Sequence, residues 1–198
     1  LHIVQYLAQT IALPIDFEAI RTDEGSEQVG GKLIGRRPAA PLHERGGEGL
    51  ESDQRPSAIH PGSSAPSKCW PAPCFAAVIE RVWRQRRAVL LLAGPADQER
   101  VDEVVRFLPA QDRWGRLKVL RNAPLMEVAC KLQECKDYLG NDTGITHLAA
   151  LLGLPTVALF GPGDAVTWQP LGPRVRVLRA NSLEHLRVDT VIDTLRSF

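Results

Sequence analysis

Apolar and polar residues change rhythm several times along this chain, and the changes divide it. Residues 2–11 place Val4, Leu7, Ala8 and Ile11 on one helical face, the spacing of an amphipathic helix that needs a partner. From residue 18 to 56 that rhythm dissolves. Gly25, Gly30, Gly31, Gly35, Gly46, Gly47 and Gly49 fall there among prolines and charges, and only Leu33–Ile34 suggests a short strand. So little apolar surface cannot offset the entropy of ordering the segment, which reads as a linker.

After residue 56 two rhythms alternate. Strands are expected at 57–60, 88–93, 117–120, 137–140, 156–160 and 175–178. Those at 88–93 and 156–160 are continuous apolar runs, the pattern of strands buried on both faces. The one at 175–178 alternates with arginine, as an edge strand does. Helices are expected at 72–86, 99–108, 124–133, 143–152 and 188–195, the first with Phe75, Val78, Ile79, Val82 and Trp83 on one stripe. Such alternation predicts an α/β fold, a Rossmann-like parallel sheet with helices on both faces. Right-handed crossovers then gather the loops that follow the strands at one edge, where ligands bind. The loops at 61–70, 94–98, 141–146 and 161–168 are therefore expected to converge.

Composition narrows the classes. The formal net charge is +1, and the arginines are scattered in sequence, which argues against a nucleic-acid binder. The longest apolar run, 148–160, is interrupted by Gly153 and Pro155 and is too short to span a bilayer. With no recognisable secretory signal, the expected location is cytoplasmic. Cys69/Cys74 and Cys130/Cys135 lack zinc-site spacing, so reduced, partly buried thiols are expected and no metal.

Two loops carry candidate chemistry. In the segment beginning Gly140-Asn-Asp-Thr-Gly-Ile-Thr-His147, Asp142 or Thr143 stands where a helix N-cap belongs. Gly144 permits close backbone approach, and the first helical turn offers amides to an anion. His147 lies in that turn, near enough to reach a phosphate or a sugar hydroxyl. For a bare Asp-Thr-Gly the preferred reading is ordinary helix capping, with Asp142 bonding backbone amides and His147 merely exposed. In His60-Pro-Gly-Ser-Ser-Ala-Pro-Ser-Lys68, Ser63 and Ser64 offer hydroxyls and Lys68 a positive charge for a leaving diphosphate. The spacing is not that of a P-loop.

Taken together, HPGSSAPSKCWP and GNDTGITHLAALLGLPTVALFGPGDAVTWQPLGP resemble the paired signatures of glycosyltransferase family 9, the heptosyltransferases, over roughly residues 57–198. The resemblance implies two facing Rossmann-like domains, the GT-B arrangement, with this part as the C-terminal, donor-binding half. By that likeness the donor is ADP-heptose and the acceptor is the lipopolysaccharide inner core, at the inner face of the inner membrane. Ser63, Ser64 and Lys68 match residues that hold donor phosphates. Asp142 matches the acid near the donor sugar, Thr143 and Gly144 the amides on the pyrophosphate, and His147 the motif histidine. Asp97 or Glu99 matches a ribose-side acid, and Ala123 an adenine-side backbone position. The family's base is an aspartate in a glycine-rich loop of the first domain, which these residues do not contain. Residues 1–17 are thus expected to be a remnant of an acceptor domain, 18–56 a linker and 57–198 the donor domain. No Asp-x-Asp metal motif occurs, and neither metal nor cofactor is expected. The alternative is a truncated, non-catalytic nucleotide-binding module. An NAD-dependent oxidoreductase ranks last, because GxGxxG is missing after the first strand.

Overall fold

A computed structural model describes residues 54–113, 115–162 and 165–198. The expected helix at 2–11, the short strand at Leu33–Ile34 and almost all of the glycine-rich stretch lie outside the described residues. Six strands form one sheet: β1 (Ser57–His60), β2 (Val89–Ala93), β3 (Leu117–Arg121), β4 (Asp137–Asn141), β5 (Thr156–Phe160) and β6 (Val175–Arg179). Their order is β3-β2-β1-β4-β5-β6 and every pairing is parallel. The chain therefore leaves β1 in one direction through β2 and β3, and in the other through β4 to β6. A topological switch point falls between β1 and β4.

Burial follows this order. The central strands β1, β2, β4 and β5 are buried at every residue, whereas the edge strands β3 and β6 alternate with exposed positions. The β6 edge assignment expected from its arginines is what the sheet has. On one face Ile59, Leu91, Leu139 and Val157 pack under α1 (Ala72–Arg84), α2 (Gln98–Phe107) and α6 (Val188–Arg196). On the other, Ala58, Leu90, Leu92 and Tyr138 pack under α3 (Leu125–Gln133) and α4 (Gly144–Leu151). Neighbouring residues of one strand feed opposite layers, the direct consequence of the two-residue strand period.

Element ends differ from the sequence pattern where the backbone turns. Helix α1 stops at Arg84 instead of 86, because Arg86 adopts φ 60° and leaves the helical region. A short helix, α5 (Ala165–Trp168), interrupts what reads as plain loop after β5. Trp70 closes the top of the first core layer: it is fully buried, its Nε1 donates to Leu186 O at 3.1 Å, and its ring meets Phe75 edge-on at 5.1 Å.

Candidate functional site

The loops after β1 and β4 meet at the switch point. Asn141, the last residue of β4 and fully buried, ties them together. Its Oδ1 accepts from Trp70 N at 3.0 Å, and its Nδ2 donates to Pro61 O at 2.8 Å and to Gly62 O at 3.1 Å. One side chain thus fixes both ends of the Ser63–Lys68 turn. Ser63 Oγ donates to Asp142 O at 3.1 Å, and Lys68 Nζ donates to Asp142 Oδ2 at 3.1 Å. The short turn Pro66–Lys68 is what swings the lysine back over the crevice. The serine-lysine loop and the aspartate-threonine-glycine helix start, 74 residues apart at Lys68 and Asp142, face each other as the fold argument requires.

Thr143 is the N-cap of α4: it sits in extended conformation and its Oγ1 accepts from Thr146 N at 3.4 Å. Of the two capping candidates, Thr143 takes the role and Asp142 is left to the crevice. The first amides of an α-helix have no intrahelical acceptor, so the start of α4 presents donors at this point. Ser63, Ser64, Lys68, Asp142, Thr143, Gly144 and His147 all line one cavity of about 560 Å³, with Trp168 from α5 at its rim. His147 is buried, so it faces the cavity and not solvent.

A second hollow of about 240 Å³ adjoins it, lined by Leu92, Leu120, Ala123, Val128 and Ile145 among others. His60 and Asp97 line both. The site is therefore a polar crevice continuous with an apolar slot, and the acid at their junction is Asp97. Glu99 sits exposed in the first turn of α2 and lines neither space. Ala123 lines the apolar slot.

His60 was not legible as a site residue. It ends β1, is buried, and bridges the two loops: Nε2 lies 3.0 Å from Asp97 Oδ2 and Nδ1 lies 3.3 Å from Thr143 Oγ1. The hydrogen bond with His60 holds the Asp97 carboxyl below its ordinary range, against the desolvation that raises it; the charge of His60 and the Gly94 amide add to the lowering. A carboxylate with a depressed pKa contributes stability above its unfolded value, and that contribution is lost as pH falls through the folded value. The stability gap between the native protein and Asp97→Asn is therefore expected to close in acid, below about pH 4. Urea titrations from pH 6 to pH 3 measure it; a gap that stays constant would mean the carboxylate is not held this way. Elsewhere burial pushes the Cys135 thiol up to about 12, which marks a core side chain and not a nucleophile.

A fully parallel 3-2-1-4-5-6 sheet with its crevice at the switch point defines a Rossmann-like ligand-binding domain. Residues 8–191 match the family described as glycosyltransferase family 9 (heptosyltransferase), and the chain belongs to that family. It is 30% identical over 132 residues to lipopolysaccharide heptosyltransferase 2 of Salmonella typhimurium, covering 66% of this chain and 38% of that protein. Among solved structures it resembles Escherichia coli ADP-heptose LPS heptosyltransferase II (TM-score 0.68, 26% identity), over 74% of this chain and 47% of the other. It also resembles E. coli heptosyltransferase WaaC with ADP-2-deoxy-2-fluoro heptose (TM-score 0.60, 25% identity), over 72% and 43% respectively. The chain thus spans less than half the length of these relatives. Among the described residues no helix is long and apolar enough to cross a membrane.

Proposed function

We infer that residues 57–198 form the donor-binding domain of an inverting heptosyltransferase that takes heptose from ADP-heptose to the lipopolysaccharide inner core. One observation carries this reading: a lysine, two serine hydroxyls and a helix start converge on a crevice that continues into an apolar slot. Diphosphate and nucleobase need that pairing of chemistries side by side. The base fits between Leu120, Ala123 and Val128, Asp97 reaches the ribose at the junction, and the phosphates meet Ser63, Ser64, Lys68 and the start of α4. Asp142 then faces the sugar.

The Lys68–Asp142 pair suits a site that must open. Lys68 is 40% exposed at its side chain, and an exposed pair of this kind stabilises by less than about 1 kcal/mol. Exchanging the carboxylate for a phosphate therefore costs little. As the glycosidic bond breaks, negative charge grows on the departing ADP, and the fixed ammonium and amides stabilise it where it forms. Inversion also needs a base on the opposite face of the sugar. Among the described residues the carboxylates of the crevice are Asp97, bonded to His60, and Asp142, bonded to Lys68. These residues serve the donor, and the base is expected on the facing domain of the family. The same observation favours the second reading, a donor-binding module without transfer of its own. The setting proposed is cytoplasmic, at the inner face of the membrane that bears the acceptor.

ADP at millimolar concentration is expected to raise the melting temperature. Lys68→Ala should remove most of that rise, because the ligand stabilises only in proportion to its affinity for the folded state. No rise with the native chain would overturn the donor assignment. Heptose transfer by the isolated residues 57–198 would overturn the placement of the base outside them.

A further inference from the structure

The opposite edge of the sheet, where the strands begin, holds a separate cavity of about 390 Å³. Strands of five residues at about 3.3 Å each put the two edges roughly 15 Å apart, so this cavity shares nothing with the donor crevice. Its lining among the described residues carries six cationic side chains, Arg55, Arg81, Arg87, Lys136, Arg174 and Arg196, against a single acidic side chain, Asp137. The whole chain has 24 basic and 23 acidic residues, so this is local enrichment and not a basic protein's average.

Part of the cluster has a structural reason. Arg81 and Arg196 lie in the last turns of α1 and α6, where cations complement the carbonyl ends. They also stand 3.9 Å from Asp189 and 3.8 Å from Asp193. Lys136 and Arg174, on the turns entering β4 and β6, have no ion-pair partner among the described residues and sit on no helix end.

The floor supplies the second observation. Arg87 is 7% exposed and holds Asp137 by one hydrogen bond, Nη1 to Oδ2 at 2.8 Å. Among the described residues Arg87 Nε has no acceptor and Asp137 Oδ1 no donor. A buried arginine–carboxylate pair ordinarily closes as a two-pronged fork. This one leaves Arg87 Nε and Asp137 Oδ1 unpartnered and shielded beneath a cavity with surplus positive charge. An anion seated above this floor meets Lys136 and Arg174 at the rim, and the buried Arg87 guanidinium adds its positive charge from below.

We propose that this cavity is a second anion site, which binds a phosphate group on the face of the domain remote from the donor. The phosphate is either free in solution or carried by an anionic lipid headgroup, and two probes separate these sources. Inorganic pyrophosphate is titrated calorimetrically into the native chain, Lys68→Ala and the double variant Lys136→Ala/Arg174→Ala. The same proteins are co-sedimented with phosphatidylglycerol vesicles and with phosphatidylcholine vesicles.

The site predicts binding that survives Lys68→Ala and weakens at least tenfold in the double variant, with the unliganded melting temperature unchanged. A response to pyrophosphate alone identifies a soluble phosphate; loss of phosphatidylglycerol binding alone identifies the lipid. Should the double variant fold poorly, Lys136→Gln and Arg174→Gln are measured singly, each with about a threefold loss. A double variant indistinguishable from the native chain with both probes overturns the proposal, as does pyrophosphate binding abolished by Lys68→Ala with no vesicle response. The donor assignment is tested by ADP and Lys68, so either inference can fail while the other stands.

Discussion

Replacing Asn141 with alanine is expected to destabilise the domain by about 3 kcal/mol and to abolish the ADP response that the proposed donor site predicts. The substitution leaves the buried Trp70 amide without its acceptor and Pro61 and Gly62 carbonyls without their donor. Each lost hydrogen bond of this kind costs about 1 kcal/mol, more where the stranded group stays dry. The functional loss is the larger one, since the Ser63–Lys68 turn is held on the sheet by these bonds. Asn141→Asp tests the geometry separately. It keeps the acceptor for Trp70 but sets a carboxylate against two carbonyl oxygens, so it should recover stability only in acid, where its protonated form donates. Urea denaturation gives the first effect and an ADP thermal shift the second. A stable Asn141→Ala protein that still binds ADP would show that the loop is held by other contacts.

What the sequence revealed of this site, and what it hid, follow from the same physics. The convergence of 61–70 with 141–146 was legible, because alternating strands and helices with right-handed crossovers leave no other edge for those loops. The buried character of 88–93 and 156–160 was legible too, since a strand covered on both faces cannot alternate. Thr143 and Asp142 were interchangeable as caps in sequence; only the extended backbone of Thr143 and its bond to Thr146 N divide the roles. Asp97 and Glu99 were likewise equivalent until α2 began at Gln98, which turns Glu99 outward and leaves Asp97 on the crevice.

His60 and Asn141 belong to a different class. Each is a polar residue at the end of a buried strand, next to glycine and proline or to a charged loop, and reads there as punctuation. Their importance lies in partners 37 to 83 residues away, which no local period encodes. Gly62 belongs with them. A Cβ there would overlap the carboxylate of Asp97, so the glycine keeps room for the acid as well as for the turn. Gly62→Ala is for this reason a direct probe of whether Asp97 must stay where it is.

Asp137→Ala is expected to be among the most damaging single changes in the described residues, at about 3–5 kcal/mol. It leaves the Arg87 guanidinium, 8% exposed at its side chain, without its counter-charge at the start of the central strands. Asp137 pairs in register with Ser57 of β1, so the uncompensated charge sits at the strand-start edge of the two central strands. The cost belongs to breaking the pair and not to the pair itself, because bringing both ions out of water already offsets most of their attraction. A double variant, Asp137→Leu with Arg87→Met, should therefore recover most of the lost stability. Chemical denaturation of the two single variants and the double gives the coupling directly. A double variant no more stable than Asp137→Ala would mean that the pair is a net contributor, and that the fold depends on the charges as well as on the volume they fill.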